Sequence, residues 1–152
     1  MRPSAETRLS CWTAPATRTG PRSWLPYHEQ FAAPLARLVG ASPAEVVLMN
    51  TLTVNLHLML VSFYRPRAGR HRILMESPAF PSDRYAVVSQ LRCRGLDPDD
   101  ALVEIAPRAG EALLRTEDIV ATIERHADSL ALVLLPGVQY LSGQVLDMRT
   151  IT

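Results

Sequence analysis

The sequence of 152 residues contains no lysine, because all 16 of its basic residues are arginine. A cofactor that must form a Schiff base with a lysine amine therefore cannot be attached by these residues alone. Cysteine is also scarce: Cys11 and Cys93 are the only two, and they form no metal-binding or redox motif. This sparse cysteine usage favours a reduced, cytoplasmic location.

The chain also lacks an apolar run of the roughly 18–20 residues that a membrane-spanning helix needs. Its net charge of +1 gives no electrostatic reason to expect nucleic acid or a membrane as a partner. The arginine-rich segment 65–72 has no interleaved aromatic residues, and we interpret it as a solvated loop. The four histidines show no metal-ligand spacing, so we expect no metal site.

Hydrophobic and charged fractions of 47% and 20% are those of a globular protein. Short apolar segments alternate with amphipathic ones along the chain, which predicts an α/β fold with a mostly parallel sheet and flanking helices. We expect the last strand to be buried on both faces because it is entirely apolar. The predicted strands are Glu45–Met49, Arg72–Met75, Leu102–Ile105 and Leu130–Leu135, and the predicted helices cover residues 27–39, 52–63, 82–94 and a segment capped by Thr116.

The junction between the first predicted strand and the helix after it is the most informative segment, residues 46–57. The first backbone N–H groups of such a helix have no partner within the helix and can bind a phosphate. Thr51 and Thr53 add hydroxyl groups within reach of that position. The simpler alternative is that these threonines only cap the helix.

Two further segments follow the carboxyl ends of predicted strands, where α/β proteins bind ligands. One is Ser77–Asp83, in which two prolines stiffen a loop that presents Phe80 and Asp83. A fixed phenyl ring is suited to stacking on a planar heterocycle. The other is Pro136–Gly143, from which Tyr140 either approaches the site or packs locally. Taken singly, a residue such as Phe80 is more often a core residue, and Asp83 more often a helix-capping or first-turn acid.

These motifs together resemble kynureninase, a pyridoxal-phosphate (PLP) enzyme family of the aspartate-aminotransferase fold group, and the resemblance covers roughly residues 19–152. It implies part of a fold-type-I large domain and hydrolysis of L-kynurenine or 3-hydroxykynurenine in tryptophan catabolism and NAD biosynthesis. For L-kynurenine the products would be anthranilate and L-alanine. It also implies a homodimer. The segments that carry it are Met49–His57, Phe80–Ala86, Gly95–Pro98, Pro107–Arg108, Leu114–Ile119, Gly137–Tyr140 and Ser142–Gln144.

The resemblance also assigns roles to individual residues. Leu52 and Thr53 match the positions that hold the cofactor phosphate, and Phe80 matches the ring that stacks on the pyridine. Pro81, Ser82 and Asp83 complete the cofactor-contacting loop. The family's Schiff-base lysine and its Asp-x-x-His motif have no counterpart, so no catalytic residue is assigned. Pro136 stands where some members have a cofactor-contacting serine, and we leave it out of the predicted site.

The expected organisation is an N-terminal fragment. Residues 1–18 are predicted to be a disordered or unrelated extension, and residues 19–152 an incomplete large domain. Thr150 reads as the cap of a helix that does not follow, which suggests a truncated chain. Two alternatives stay open: a non-catalytic remnant or phosphate-binding module, and an unrelated nucleotide-binding α/β domain. The absence of a Gly-x-Gly-x-x-Gly or Walker-type loop counts against the latter.

Overall fold

The computed structural model describes residues 27–152, which form two compact units divided between Asn50 and Thr51. The extension predicted for residues 1–18 lies outside the described residues. No helix within the described part of the chain is long and apolar enough to cross a membrane.

The smaller unit contains one α-helix between two short 3-10 helices. Its helix α1 follows the 3-10 segment directly and ends at Gly40, whose φ of 70° is the left-handed conformation that glycine adopts without strain. The Gly40 N–H donates to the carbonyl oxygen of Ala36, as the predicted helix stop requires. The elements are a 3-10 helix over Tyr27–Phe31, α1 over Ala32–Val39 and a 3-10 helix over Pro43–Glu45.

The larger unit alternates helices and strands, as the apolar pattern predicts. Its elements are α2 (Leu52–Phe63), β1 (Arg72–Glu76), α3 (Pro81–Cys93), α4 (Pro98–Ala101), β2 (Leu102–Ile105), α5 (Thr116–Arg125), β3 (Leu130–Leu134) and α6 (Met148–Ile151). The three strands form a sheet in the order β2-β1-β3, and both pairings are parallel. The predicted α/β class with a parallel sheet is confirmed.

Strand β1 lies at the centre of the sheet and its side chains alternate between two apolar layers. Ile73 and Met75 point into the layer built with α2 and α3, which includes Leu60 and Leu91. Leu74 points into the opposite layer, which is built with α5 and also contains Leu130 and Ile119. Helices therefore cover both faces of β1, and four of its five residues are buried.

One strand prediction is wrong and another is wrong in part. The segment Glu45–Met49 is not a strand: Glu45 ends a 3-10 helix, and Val47 is 59% exposed. An extended segment becomes a strand only when a neighbour accepts its hydrogen bonds, and this segment joins no sheet of the described residues. Strand β3 ends at Leu134 and is not buried on both faces, since Val133 is 37% exposed at the edge of the sheet.

Helix boundaries differ from the prediction at two threonines. Thr116 is the first residue of α5, and Arg115 occupies the cap position without a side-chain hydrogen bond. Thr150 lies inside the short helix α6, which is capped by Asp147 through a 3.2 Å hydrogen bond from the Thr150 N–H. In both places the capping residue comes earlier than the pattern indicated.

Candidate functional site

An open cleft of about 240 Å³ lies at the carboxyl ends of β1 and β3. This is the edge of a parallel sheet at which α/β proteins bind ligands. The first two turns of α2 and the first turn of α3 contribute to its walls, so parts of the chain far apart in sequence meet there. The residues that line it are Leu52, Leu56, Met75, Glu76, Asp83, Leu134, Leu135 and Pro136.

Thr51 caps the N-terminus of α2, the helix that borders this cleft. It has extended backbone angles, and its Oγ1 accepts a 3.5 Å hydrogen bond from the Val54 N–H. The N–H groups of Leu52 and Thr53 belong to the same first turn and have no acceptor within the helix. They and the positive end of the helix dipole suit this turn to an anionic group.

The loop from β1 to α3 contains four of the predicted site residues. Phe80 is the cap residue of α3, and Pro81 follows at the first helical position, which proline favours. Ser82 donates from Oγ to Asp83 Oδ1 at 3.3 Å. Asp83 lies in the first turn of the helix, where the dipole stabilises a negative charge.

Next to Asp83, an ion pair fixes the start of α3 to β2. The Arg84 guanidinium donates from Nε and Nη2 to the two carboxylate oxygens of Glu104 at 2.9 and 3.0 Å. Such a two-bond pair restrains orientation more than a single contact does. The first turn of α3 is therefore held to the sheet beside the cleft.

The ring of Phe80 packs against Tyr140, which belongs to the segment after β3. The two ring centroids are 5.1 Å apart and the ring planes are nearly perpendicular, at 88°. This edge-to-face geometry is one of the preferred arrangements of aromatic pairs. Phe80 is 45% exposed and so is not a core residue.

The segment that carries Tyr140 is a tight hairpin held by the buried side chain of Gln139. Its Nε2 donates to the Pro78 carbonyl oxygen at 2.9 Å, and its Oε1 accepts from the Leu141 and Ser142 N–H groups at 2.7 and 2.8 Å. Gly143 has a φ of 71°, which allows the chain to reverse. The hairpin is thereby attached to the loop that carries Phe80.

A second glutamine fastens the other side of the same hairpin. Gln144 accepts from the Leu114 N–H at 2.9 Å through Oε1 and donates to the Leu114 carbonyl oxygen at 2.6 Å through Nε2. The Gln144 amide thus bonds both the N–H and the C=O of Leu114, as a neighbouring strand would do in a sheet. Tyr140 is thus presented by a hairpin with anchors on two sides.

Glu76 is a residue of the site that the sequence analysis missed. It ends β1, is only 5% exposed and lines the cleft. Burial raises the pKa of its carboxyl group, its own backbone N–H lowers it, and the nearby Asp83 raises it further. The sequence does contain a signal for Glu76: it directly follows the apolar residues Ile73, Leu74 and Met75, and an acid in that position stands at the carboxyl end of a buried strand.

The predicted cofactor residues are close together, but they do not all line the cleft. Leu52 and Asp83 are lining residues. Thr53, Phe80, Pro81 and Ser82 belong to the same two helix starts without being part of the lining, and the roles of all six stay predictions. Pro136, which we left out of the predicted site, does line the cleft.

Other candidate groups do not gather into a site. Within residues 27–152 no group of three or more His, Cys, Asp or Glu side chains could hold a metal ion. Cys93 is an exposed free cysteine. His57 is half-buried on α2 and is not part of the cleft lining.

Known proteins similar to this chain are found by comparison with single sequences. No family model matches the chain. It is similar to curated kynureninases: 60% identical to that of Salinispora tropica over 131 residues, 57% to that of Koribacter versatilis over 133, and 55% to that of Nematostella vectensis over 129. These matches cover 86%, 88% and 85% of this chain.

The same matches cover 30%, 31% and 28% of the three relatives, so the chain spans about a third of their length. Parallel α/β architecture and these relatives together confirm the predicted fold class, a part of a fold-type-I large domain. The particular resemblance, to kynureninase, is confirmed over most of the chain's own length.

Proposed function

We propose that this chain supplies one part of the cofactor site of a kynureninase-like hydrolase. The reaction would convert L-kynurenine and water to anthranilate and L-alanine. The observation that carries the proposal is the cleft, which brings Leu52 at the start of α2 and Asp83 at the start of α3 to the carboxyl ends of β1 and β3. Relatives that are 55–60% identical over most of this chain carry the name kynureninase, which supports the same activity.

The residues present fit pyridoxal phosphate as the cofactor. The α2 N-terminus offers two backbone donors and a threonine hydroxyl for a phosphate, and the apolar cleft walls suit a flat ring. When bound, the cofactor acts as an electron sink for the substrate carbon atoms. We assign Leu52 and Thr53 to the phosphate, Phe80 to stacking, and Pro81, Ser82 and Asp83 to the remaining cofactor contacts.

The chain's own residues would bind and orient the cofactor. Its covalent attachment would need a group outside these 152 residues. No lysine is present among them to hold the cofactor covalently. The Phe80–Tyr140 pair and the Gln139 anchor fix the loops next to the cleft, which reduces the ordering needed on binding. A homodimer and a cytoplasmic location stay predictions.

The rival proposal is a non-catalytic binding module that uses the same cleft. A hybrid protein separates the two: this chain replaces the matched 131 residues of the Salinispora tropica kynureninase, and hydrolysis of L-kynurenine is measured. We expect activity within about tenfold of the parent, since 60% of the replaced residues are identical. A folded hybrid that binds the cofactor but hydrolyses nothing would favour the non-catalytic module.

Binding by the chain itself is tested with matched ligands. Titration with pyridoxal phosphate and with pyridoxal, which lacks the phosphate, should show tighter binding of the former. The variant Thr53→Val removes a hydroxyl without changing shape and should reduce that difference. Equal affinity for both ligands would argue against the phosphate assignment.

A further inference from the structure

Glu76 is a buried acid at the ligand-binding edge of the sheet. Glutamate is almost never fully buried unless it is paired, yet Glu76 is 5% exposed. It forms no ion pair with any arginine or histidine among residues 27–152. Its position at the end of β1 therefore needs a reason other than a salt bridge.

Glu76 lines two cavities. One is the cleft of about 240 Å³ and the other is a smaller cavity of about 40 Å³. The smaller cavity is bordered by the polar side chains of Gln139, Ser142 and Gln144. Among residues 27–152, Glu76 alone lines both of these cavities, so a molecule in either one can contact it.

The residues that line the two cavities with Glu76 are mostly apolar or uncharged. Within the described part of the chain, Asp83 at the start of α3 is the one titratable side chain that shares a cavity wall with it. The neighbouring strand β2 places Ile105 opposite Glu76. The other described residues that line the two cavities are uncharged, among them Leu52 and Leu56 of α2, Leu134 at the end of β3, and Gln139, Ser142 and Gln144 of the hairpin after β3.

These surroundings disfavour a charged carboxylate at this position. Burial removes water from the carboxyl group, and a second acid nearby adds repulsion. Burial has the largest effect and raises the pKa of Glu76, its own backbone N–H lowers the pKa, and the smaller effect of Asp83 raises it. A protonated carboxyl group can donate a hydrogen bond, whereas a carboxylate can only accept one.

We propose that Glu76 is a ligand-contacting residue of the cleft whose protonated carboxyl group donates a hydrogen bond to an oxygen of an anionic aromatic ligand. This rests on the proposed function, in which the ligand is pyridoxal phosphate. A protonated Glu76 can lie against an anionic ligand without repulsion, whereas an ionised one would oppose it. Ligand binding should therefore weaken as Glu76 loses its proton.

The first measurement needs no ligand. The 152-residue chain is labelled with carbon-13 at glutamate carboxyl carbons and titrated by NMR, and the Glu76 signal is the one that Glu76→Gln removes. We expect its midpoint to lie above that of ordinary glutamates. A midpoint in the ordinary glutamate range would overturn the protonated state and with it the proposal.

The second measurement follows the dissociation constant of pyridoxal phosphate against pH. Glu76→Gln keeps a hydrogen-bond donor but cannot ionise, so it should lack the loss of affinity that the unaltered chain shows above the Glu76 midpoint. The cofactor's own ionisations affect both proteins equally and cancel in the comparison. The control Glu117→Gln alters an acid with a 66% exposed side chain at the start of α5 and should behave like the unaltered chain.

The outcomes separate this proposal from the proposed function. Tight binding with identical pH profiles for the unaltered chain and Glu76→Gln would overturn the Glu76 contact and leave the cofactor assignment intact. An absence of pyridoxal phosphate binding at every pH in all variants would overturn both. Weaker binding above the Glu76 midpoint that Glu76→Gln abolishes would support the contact.

Discussion

The side-chain amide of Gln139 donates a hydrogen bond to the carbonyl oxygen of Pro78 at 2.9 Å, across 61 positions of sequence. This bond joins the hairpin after β3 to the loop after β1, which are the two segments that carry Tyr140 and Phe80. Since Gln139 is also buried, its amide groups cannot exchange these partners for water without an energetic penalty.

Replacing Gln139 should destabilise the protein. Gln139→Ala leaves the Pro78 carbonyl and two hairpin N–H groups without their partner, which costs about 1–3 kcal/mol for buried groups. Gln139→Glu keeps an acceptor and loses the donor, so an intermediate effect is expected. Urea unfolding measures the change, and Glu124→Ala serves as the control because it truncates an exposed side chain of α5 away from the hairpin. Equal stability of Gln139→Ala and the control would contradict this role.

Substitutions of Thr51 should separate helix stability from anion binding. Thr51→Ala removes the cap of α2 and should cost about 0.5–1 kcal/mol, at the low end of the usual range because the cap bond is 3.5 Å long. Thr51→Asp keeps a capping oxygen, so stability should be preserved. Its negative charge would nevertheless weaken binding of pyridoxal phosphate. Parallel losses of stability and affinity in both variants would refute a phosphate site here.

The aromatic pair next to the cleft predicts different results for its two rings. Tyr140→Phe keeps the edge-to-face contact with Phe80 and should leave pyridoxal phosphate affinity unchanged. Tyr140→Leu loses the aromatic contact, which contributes about 0.5–1.5 kcal/mol beyond buried area in such pairs. Of the three variants, Phe80→Leu should weaken cofactor binding most, because it removes the ring that we assign to stacking. Fluorescence titration measures the affinities, and a normal affinity for Phe80→Leu would disprove stacking.

The raised pKa of Glu76 predicts how stability varies with pH. The folded protein binds this proton more tightly than the unfolded chain, since burial disfavours the charged form. The contribution to stability is therefore complete below the ordinary glutamate pKa and is lost as pH rises to the raised value. Glu76→Gln should be more stable than the unaltered chain at neutral pH, and the difference should shrink in acid. Thermal unfolding at several pH values checks the sign.

The lysine-free composition gives a chemical prediction. Borohydride treatment in the presence of pyridoxal phosphate reduces lysine Schiff bases to stable adducts. The 152-residue chain should show no adduct at any internal position, because it contains no lysine amine. Peptide mass spectrometry makes the measurement, with an enzyme that holds pyridoxal phosphate on a lysine as the positive comparison. An internal adduct would show that another group attaches the cofactor.

Much of the larger unit follows from local patterns in the sequence. The helix over Leu52–Phe63 and the strand over Leu102–Ile105 have the predicted bounds, because apolar periodicity and caps act locally. The segment Glu45–Met49 has the composition of a strand and forms none, since strand formation depends on a partner that local sequence does not specify. The exposure of Val133 was not predictable for the same reason. It follows from the position of β3 at the edge of the sheet, which depends on the strand order and not on the local sequence.

The site was predictable where it rests on motifs and unpredictable where it rests on tertiary contacts. Leu52 and Asp83 were identified from motif resemblance, and both line the cleft. Glu76 was missed because a single acid after an apolar run carries no motif, and its importance depends on what surrounds it in three dimensions. The Gln139–Pro78 bond likewise joins residues whose proximity no sequence spacing indicates.

The order of strands in the sheet also governs when the cleft can exist during synthesis. Strand β1 is made before either of its neighbours, and its pairing of Arg72 with Leu130 must wait until β3 has been translated. Parallel pairings between distant segments close large loops and form slowly. The nascent chain therefore exposes the apolar side chains of its central strand until translation has passed Leu134, and in that interval it should depend on chaperones.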